Sequence, residues 1–203
     1  YPVDADESLV ESLLALTLDG VEAFCRPESV ILVLDGQPRW GEVGRRAALN
    51  RGLRYLALPV NVGKGGAVAA GIEALADDSP AFIATRDSDG DHRLEDLPAL
   101  VELAQQIGDE TGNDLVLVSG GRPDRGRPLG FERAEYEVIT DRVLWQALQF
   151  HAARRGECLN SVYFAAHGDV PDIQSGYKVY SRAAARIAAE VLSPGADGGG
   201  IGR

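Results

Sequence analysis

Methionine is absent from the 203 residues, and cysteine is nearly so, with only Cys25 and Cys158. Two cysteines cannot build a disulfide framework, and these two lack zinc-ligand spacing. Both are expected to be ordinary buried or half-buried thiols. Long apolar runs are missing too, and none approaches the ~20 residues of a membrane span. No signal peptide is legible. A chain that starts at Tyr1 without Met is expected to be a mature form, an excised domain or a truncated product, with any membrane anchor outside it. Positive charge is scarce: 20 Lys and Arg against 31 Asp and Glu give a net charge of −11. That surface repels nucleic-acid phosphates and disfavours non-specific DNA or RNA binding. A small phosphate-bearing ligand then requires a local cation or metal.

What is present suits a folded α/β chain. Hydrophobic residues make up 45% and charged residues 25%, a balance that excludes disorder over most of the length. Asp6-Glu7-Ser8 ahead of Leu9, Val10, Leu13, Leu14 and Leu16 predicts a capped amphipathic helix. Short branched runs predict strands over 29–34, 54–58, 81–85 and 114–118. Helical patterns fall over 65–76, 94–107, 132–153 and 182–192. Four β–α alternations in about 120 residues predict a doubly wound, mostly parallel sheet flanked by helices. Residues 1–192 are expected to form one catalytic domain, followed by a flexible Gly-rich tail over 193–203. The Gly-, Pro- and Arg-rich stretch 120–130 is expected to be a mobile loop. Arg122, Arg125, Arg127 and Arg133 on and beside it could clamp phosphates or form a solvated charge run. Trp40, Trp145 and Phe150 are expected to pack rather than to stack on sugars. His92 and His151 are expected at surface or cap positions.

Ligands of open parallel sheets bind beyond the carboxyl ends of the strands. Three polar clusters fall there: Asp35, the loop 61–66, and the carboxylates Asp87, Asp89 and Asp91. Asp87-Ser88-Asp89 places two hard oxygen ligands at i and i+2 past a strand, which suits Mg2+ or Mn2+ with positions left for diphosphate oxygens. The same three residues also suit a solvated turn or a helix cap. An EF-hand is excluded, because its sixth and twelfth positions hold His92 and Pro98. Asn61-Val62-Gly63-Lys64-Gly65-Gly66 is not a nucleoside-triphosphate P-loop, because Leu58 and Gly65 stand where that motif needs Gly and Ser or Thr. It can still offer backbone N–H groups and Lys64 to an anion. Tight helix–strand packing is the other use of those glycines.

The order of these motifs resembles family 2 glycosyltransferases of the GT-A fold, and within them the dolichyl- or polyprenyl-phosphate sugar synthases. The matching segments run from Val30 through Asp35-Gly36, from Asn61 through Ala67 with Gly71, and from Asp87 through His92 with Leu94 to Pro98. Val118-Ser119-Gly120-Gly121-Arg122 resembles the family's Gly-Ser-Arg element. Asp172-Ile173-Gln174-Ser175-Gly176-Tyr177-Lys178 with Ser181-Arg182 resembles its Asp-x-Gln-Cys/Ser-Gly-Phe-Lys block. The resemblance covers residues 29 to 185.

It implies an inverting glycosyltransferase that moves a sugar from a nucleotide-diphosphate donor, of GDP-mannose or UDP-glucose type, to an acceptor such as a polyprenyl phosphate. Asp35 would contact base or ribose, and Asp87 and Asp89 would be the metal ligands. Lys64 and Arg122 would face the diphosphate. Asp89 and Asp172 would be the catalytic carboxylates, and Gln174, Ser175, Gly176 and Lys178 would line the acceptor side. The cofactor would be Mg2+ or Mn2+. The enzyme would be cytoplasmic or at the cytoplasmic face of a membrane. The alternatives are a non-catalytic nucleotide-sugar-binding domain and a sugar-nucleotide pyrophosphorylase. The chain departs from the family pattern in three places. The apolar strand that usually opens it is missing before Val3. One carboxylate is lost at Leu34-Asp35-Gly36-Gln37. Arg86 stands where an apolar residue is usual. An acidic stretch at His167-Gly168-Asp169 is a further candidate for the acceptor side, although a surface turn suits it better.

Overall fold

The computed structural model describes residues 5–36, 38–122, 130–157, 159 and 171–193. Cys158, Arg125, Arg127, the 167–169 stretch and the tail beyond Ser193 lie outside them. The described chain divides into two compact units: residues 1–118 with 179–203, and residues 119–178.

In the first unit, helix α1 (Glu7–Leu18) starts where Asp6 Oδ1 accepts the Ser8 N–H at 2.7 Å. The cap satisfies one of the four amide donors that a helix start leaves open. Strand β1 (Ile31–Asp35) begins two residues later than expected. Pro27–Ser29 form a 3-10 turn, and its carbonyl of Pro27 takes the Val30 N–H. Helix α2 (Pro38–Leu49) follows, then β2 (Arg54–Leu58), α3 (Gly63–Ala76) and β3 (Phe82–Thr85). A 3-10 turn at Leu94–Asp96 leads into α4 (Leu97–Thr111), which stops at the left-handed Gly112. Strand β4 (Leu117–Ser119) and strand β5 (Lys178–Ser181) follow, and α6 (Arg182–Leu192) is the last described helix.

β1 and β2 pair in parallel, with Asp35 opposite Leu58, so both carboxyl ends reach one edge. The other strands form a separate sheet in the order β3-β5-β4. The fold is α/β, and its demonstrated parallel pair is narrower than the doubly wound sheet expected. Three apolar clusters hold this unit together. Val10, Leu14 and Leu18 of α1 pack with Trp40, Val43 and Ala48 of α2. Ile72, Ile83, Tyr180, Ala185 and Ala189 join α3, β3, β5 and α6. Ala104, Val116, Val118 and Val179 seat α4 on β4 and β5. Ser181 ties the second and third clusters. Its Oγ caps α6 through Ala184 N, accepts from Val116 N at 3.1 Å and donates to Asp114 O at 2.5 Å.

The second unit is built on one long helix, α5 (Phe131–Arg154), whose buried residues are Ala134, Glu137, Asp141 and Ala152. Two expectations are corrected here. Phe150, expected to pack, is exposed, and His92, expected at the surface or in a cap, is buried. Trp40 packs in the core as expected.

Candidate functional site

β1 ends in Asp35, and the backbone turns there through Gly36 at φ +63°. A Cβ on Gly36 would lie 2.0 Å from Asn61 N and 2.1 Å from Val60 C, so the loops after β1 and β2 touch backbone to backbone. The Asp35 carboxylate oxygen Oδ1 accepts the Val62 N–H at 2.8 Å, and the Asp35 carbonyl accepts from Asn61 Nδ2 at 3.1 Å. Asn61 Oδ1 in turn accepts the Gly63 N–H at 3.2 Å. α3 therefore starts beside two acceptors supplied from outside the helix, and Val62 at its cap makes no side-chain bond. Partial positive charge gathers at such a helix start and favours anionic groups.

Lys64, on the first turn of α3, donates to Asp87 Oδ2 at 2.6 Å and so joins this loop to the one after β3. Lys64 is 61% exposed and Asp87 30%. The pair is solvent-screened, and its effect on folding is small. Two residues on, Asp89 is exposed, and its Oδ1 accepts the Asp91 N–H at 3.1 Å, which holds the turn. Arg86 donates from Nη1 to the Thr17 carbonyl at 2.9 Å, near the carboxyl end of α1. That contact explains an arginine where an apolar residue was expected.

The structure thus brings Asp35, Lys64 and Asp87 into one bonded set across three strand-end loops, with Asp89 beside it. Among the described residues, no group of three or more His, Cys, Asp and Glu side chains stands ready to hold a metal. Asp87 and Asp89 supply two hard carboxylate donors, which fit Mg2+ or Mn2+ where substrate oxygens and water complete the shell. A cavity of about 550 Å3 lies elsewhere in this unit, lined by Phe82, Gly108, Asp114, Arg182 and Arg186 at the amino end of β3. It belongs to the opposite end of that strand from Asp87.

The second unit holds the remaining candidates. Arg122 makes a two-pronged pair with Asp172, Nε to Oδ2 at 2.8 Å and Nη2 to Oδ1 at 2.9 Å. The Arg122 N–H adds a bond to Oδ2 at 3.0 Å. Arg122 Nη2 also reaches Glu137 Oε2 at 2.8 Å. The side chains of Arg122, Glu137 and Asp172 are only 10%, 11% and 4% exposed. The bonds to Asp172, against the opposing cost of burial, hold the guanidinium more firmly charged than usual. Ser175 is fully buried, and its Oγ donates to the Gly120 carbonyl and accepts the Tyr177 N–H. Gln174 Nε2 donates to the Glu137 carbonyl at 3.3 Å, and Lys178 Nζ donates to the Ser175 carbonyl. Gly176 lies half-buried between them. These residues form one hydrogen-bonded body around Arg122. Glu137 was not foreseen, because nothing in a helix pattern shows that an acidic residue turns inward to meet an arginine 15 positions earlier.

Loops that carry carboxylates and a lysine past the carboxyl ends of strands define an α/β domain of the kind that binds ligands at that edge. The sequence description Glycosyl transferase family 2 matches residues 7–168, about four-fifths of the chain. The chain belongs to that family, and it is a glycosyltransferase with the GT-A fold. No curated protein and no solved structure matches it. The family match ends before Asp172, so the Arg122-binding segment lies beyond it.

Proposed function

We propose that the protein is an inverting, metal-dependent transferase that takes a sugar from a nucleoside-diphosphate donor of GDP-mannose or UDP-glucose type. The observation that carries this reading is the stitching of three strand-end loops by Asp35–Val62 and Lys64–Asp87. A donor diphosphate laid along that edge meets the first turn of α3 and the Lys64 ammonium. Asp35 stands beside it for ribose or base. Asp87 and Asp89 would hold Mg2+ or Mn2+, which supplies positive charge to offset the negative charge of the departing nucleotide. Lys64 neutralises Asp87 between turnovers and is long enough to exchange that partner for a phosphate oxygen.

A lipid-phosphate acceptor follows from the sequence resemblance and suits this chemistry. A phosphate is already anionic near neutral pH and needs little base assistance, whereas an alcohol needs a carboxylate base. Asp172 has both oxygens on Arg122, so base catalysis there requires that pair to open. In the arrangement described, Asp172 positions Arg122, and Gln174, Ser175, Gly176 and Lys178 shape the segment around it.

The test is calorimetric titration of UDP and GDP with and without Mn2+. Metal should tighten nucleotide binding at least tenfold, and Asp89→Ala should remove that gain while lowering the melting temperature only slightly, through loss of the exposed Asp91 N–H bond. Equal affinity with and without metal would refute the role given to Asp87 and Asp89. Metal-dependent hydrolysis of donor in the absence of acceptor separates an enzyme from a pure binding domain.

A further inference from the structure

The outer face of α5 carries an apolar strip that water does not favour. Tyr136, Ile139, Val143 and Phe150 are 69%, 60%, 59% and 67% exposed. Ala147 is exposed with them. At 3.6 residues per turn these five fall on one side of the helix, opposite the buried Ala134, Glu137, Asp141 and Ala152. The strip runs about 21 Å along the helix at 1.5 Å per residue. Contiguous exposed apolar surface of this kind marks an interaction site.

The identity of the partner is written in the spacing. Glu132 and Arg154 extend the same face at its two ends, and both are exposed. The positions 132, 136, 139, 143, 147, 150 and 154 advance by 4, 3, 4, 4, 3 and 4, an order that reads the same in both directions about Val143. Two such helices laid antiparallel across a two-fold axis at Val143 bring Tyr136 onto the partner's Phe150 and Ile139 onto the partner's Ala147. Glu132 then meets the partner's Arg154, twice per pair. Among the described residues neither of these charges has an ion-pair partner, and their signs match only when the helices run antiparallel. An isologous interface requires this self-complementarity. The net charge of −11 opposes the other apolar destination, an anionic membrane surface.

We infer that this face of α5 is a homodimer interface, formed by antiparallel pairing of α5 with α5 of a second copy. A single helix pair is smaller than the standard interface area, so association is weak and concentration-dependent. Sedimentation velocity on the chain from about 1 to 200 µM should show a monomer–dimer equilibrium. Ile139→Glu with Val143→Glu should abolish the dimer while leaving the melting temperature at about 1 µM, where the wild type is largely monomeric, unchanged, because both side chains are exposed. Glu132→Arg alone should weaken association about tenfold, since it sets arginine against arginine at both ends. Arg154→Glu alone should do the same, and the double exchange should restore the wild-type affinity. Val143→Cys should cross-link to itself on oxidation, whereas Phe150→Cys should cross-link only when mixed with Tyr136→Cys. A wild-type monomer at 200 µM overturns the proposal. So does a dimer indifferent to the glutamates, a double exchange that fails to rescue, or a monomer that co-sediments with phosphatidylcholine vesicles through this strip.

Discussion

Replacing Gly36 with Ala tests how closely the strand-end loops must approach. A non-glycine residue at φ +63° costs about 1–2 kcal/mol from backbone sterics alone. The added Cβ would also sit 2.0 Å from Asn61 N, against ~3.5 Å for a relaxed contact, so the 60–61 backbone must retreat by more than ~1 Å. That retreat breaks Val62 N–H to Asp35 Oδ1 and Asn61 Nδ2 to the Asp35 carbonyl. Both bonds are partly exposed, and together they add about 1–2 kcal/mol. The total is about 2–4 kcal/mol, or a melting temperature lowered by about 4–16 °C for a chain of this size. Gly52→Ala is the control. Gly52 has φ +67°, but its Cβ would meet open space, so the change should cost only about 1–2 kcal/mol. Thermal unfolding and nucleotide titration should be run on both. Gly36→Ala should lose more stability and most of its nucleotide affinity, while Gly52→Ala keeps the affinity. Equal stability losses with wild-type binding in both would refute the packed edge.

Other substitutions probe other links. Asp172→Ala leaves Arg122 buried with Glu137 alone and should cost about 2–4 kcal/mol in urea unfolding; a loss under 1 kcal/mol would show that the pair is not buried in solution. Ser181→Ala strips the buried Val116 N–H of its acceptor and α6 of its cap, and should cost about 1–3 kcal/mol by the same assay. Asp6 bonds to Ser8, which holds its carboxyl below the usual range, so its support of α1 is present above about pH 4 and is lost as pH falls through the lowered value. Asp6→Asn should remove that acid dependence from the α1 helix signal in circular dichroism; an unchanged acid limb would rule out the cap. Burial pushes the Cys25 thiol up, so in a Cys158→Ser background iodoacetamide should react slowly at pH 7.5 and faster above pH 9. A rate like that of free cysteine at pH 7.5 would contradict the burial.

Local chemistry made much of the fold legible. Strand 54–58 and helix 182–192 coincide with β2 and α6, because alternation and a Ser cap are written within a few residues. The strand expected over 114–118 begins only at Leu117, since Asn113 Oδ1 and Ser181 Oγ take the amides of Leu115 and Val116. α2 had no place in the sequence reading. Its Gly41 and Gly44 look like breakers, yet a Cβ on Gly44 would lie 2.5 Å from Leu34 Cδ2, so that glycine serves close packing against β1.

The α/β class, most of the helices and strands, the acidic run after β3 and the glycosyltransferase family were set by the sequence itself. Each depends on neighbours within a few residues or on motifs in a fixed order. The bond of Lys64 to Asp87, of Arg86 to the end of α1, and of Arg122 to Asp172 and Glu137 joins residues from 15 to 70 positions apart. Side chains so distant meet only once the chain has folded, and burial then decides which charges must pair, so only the tertiary structure could assign those partners.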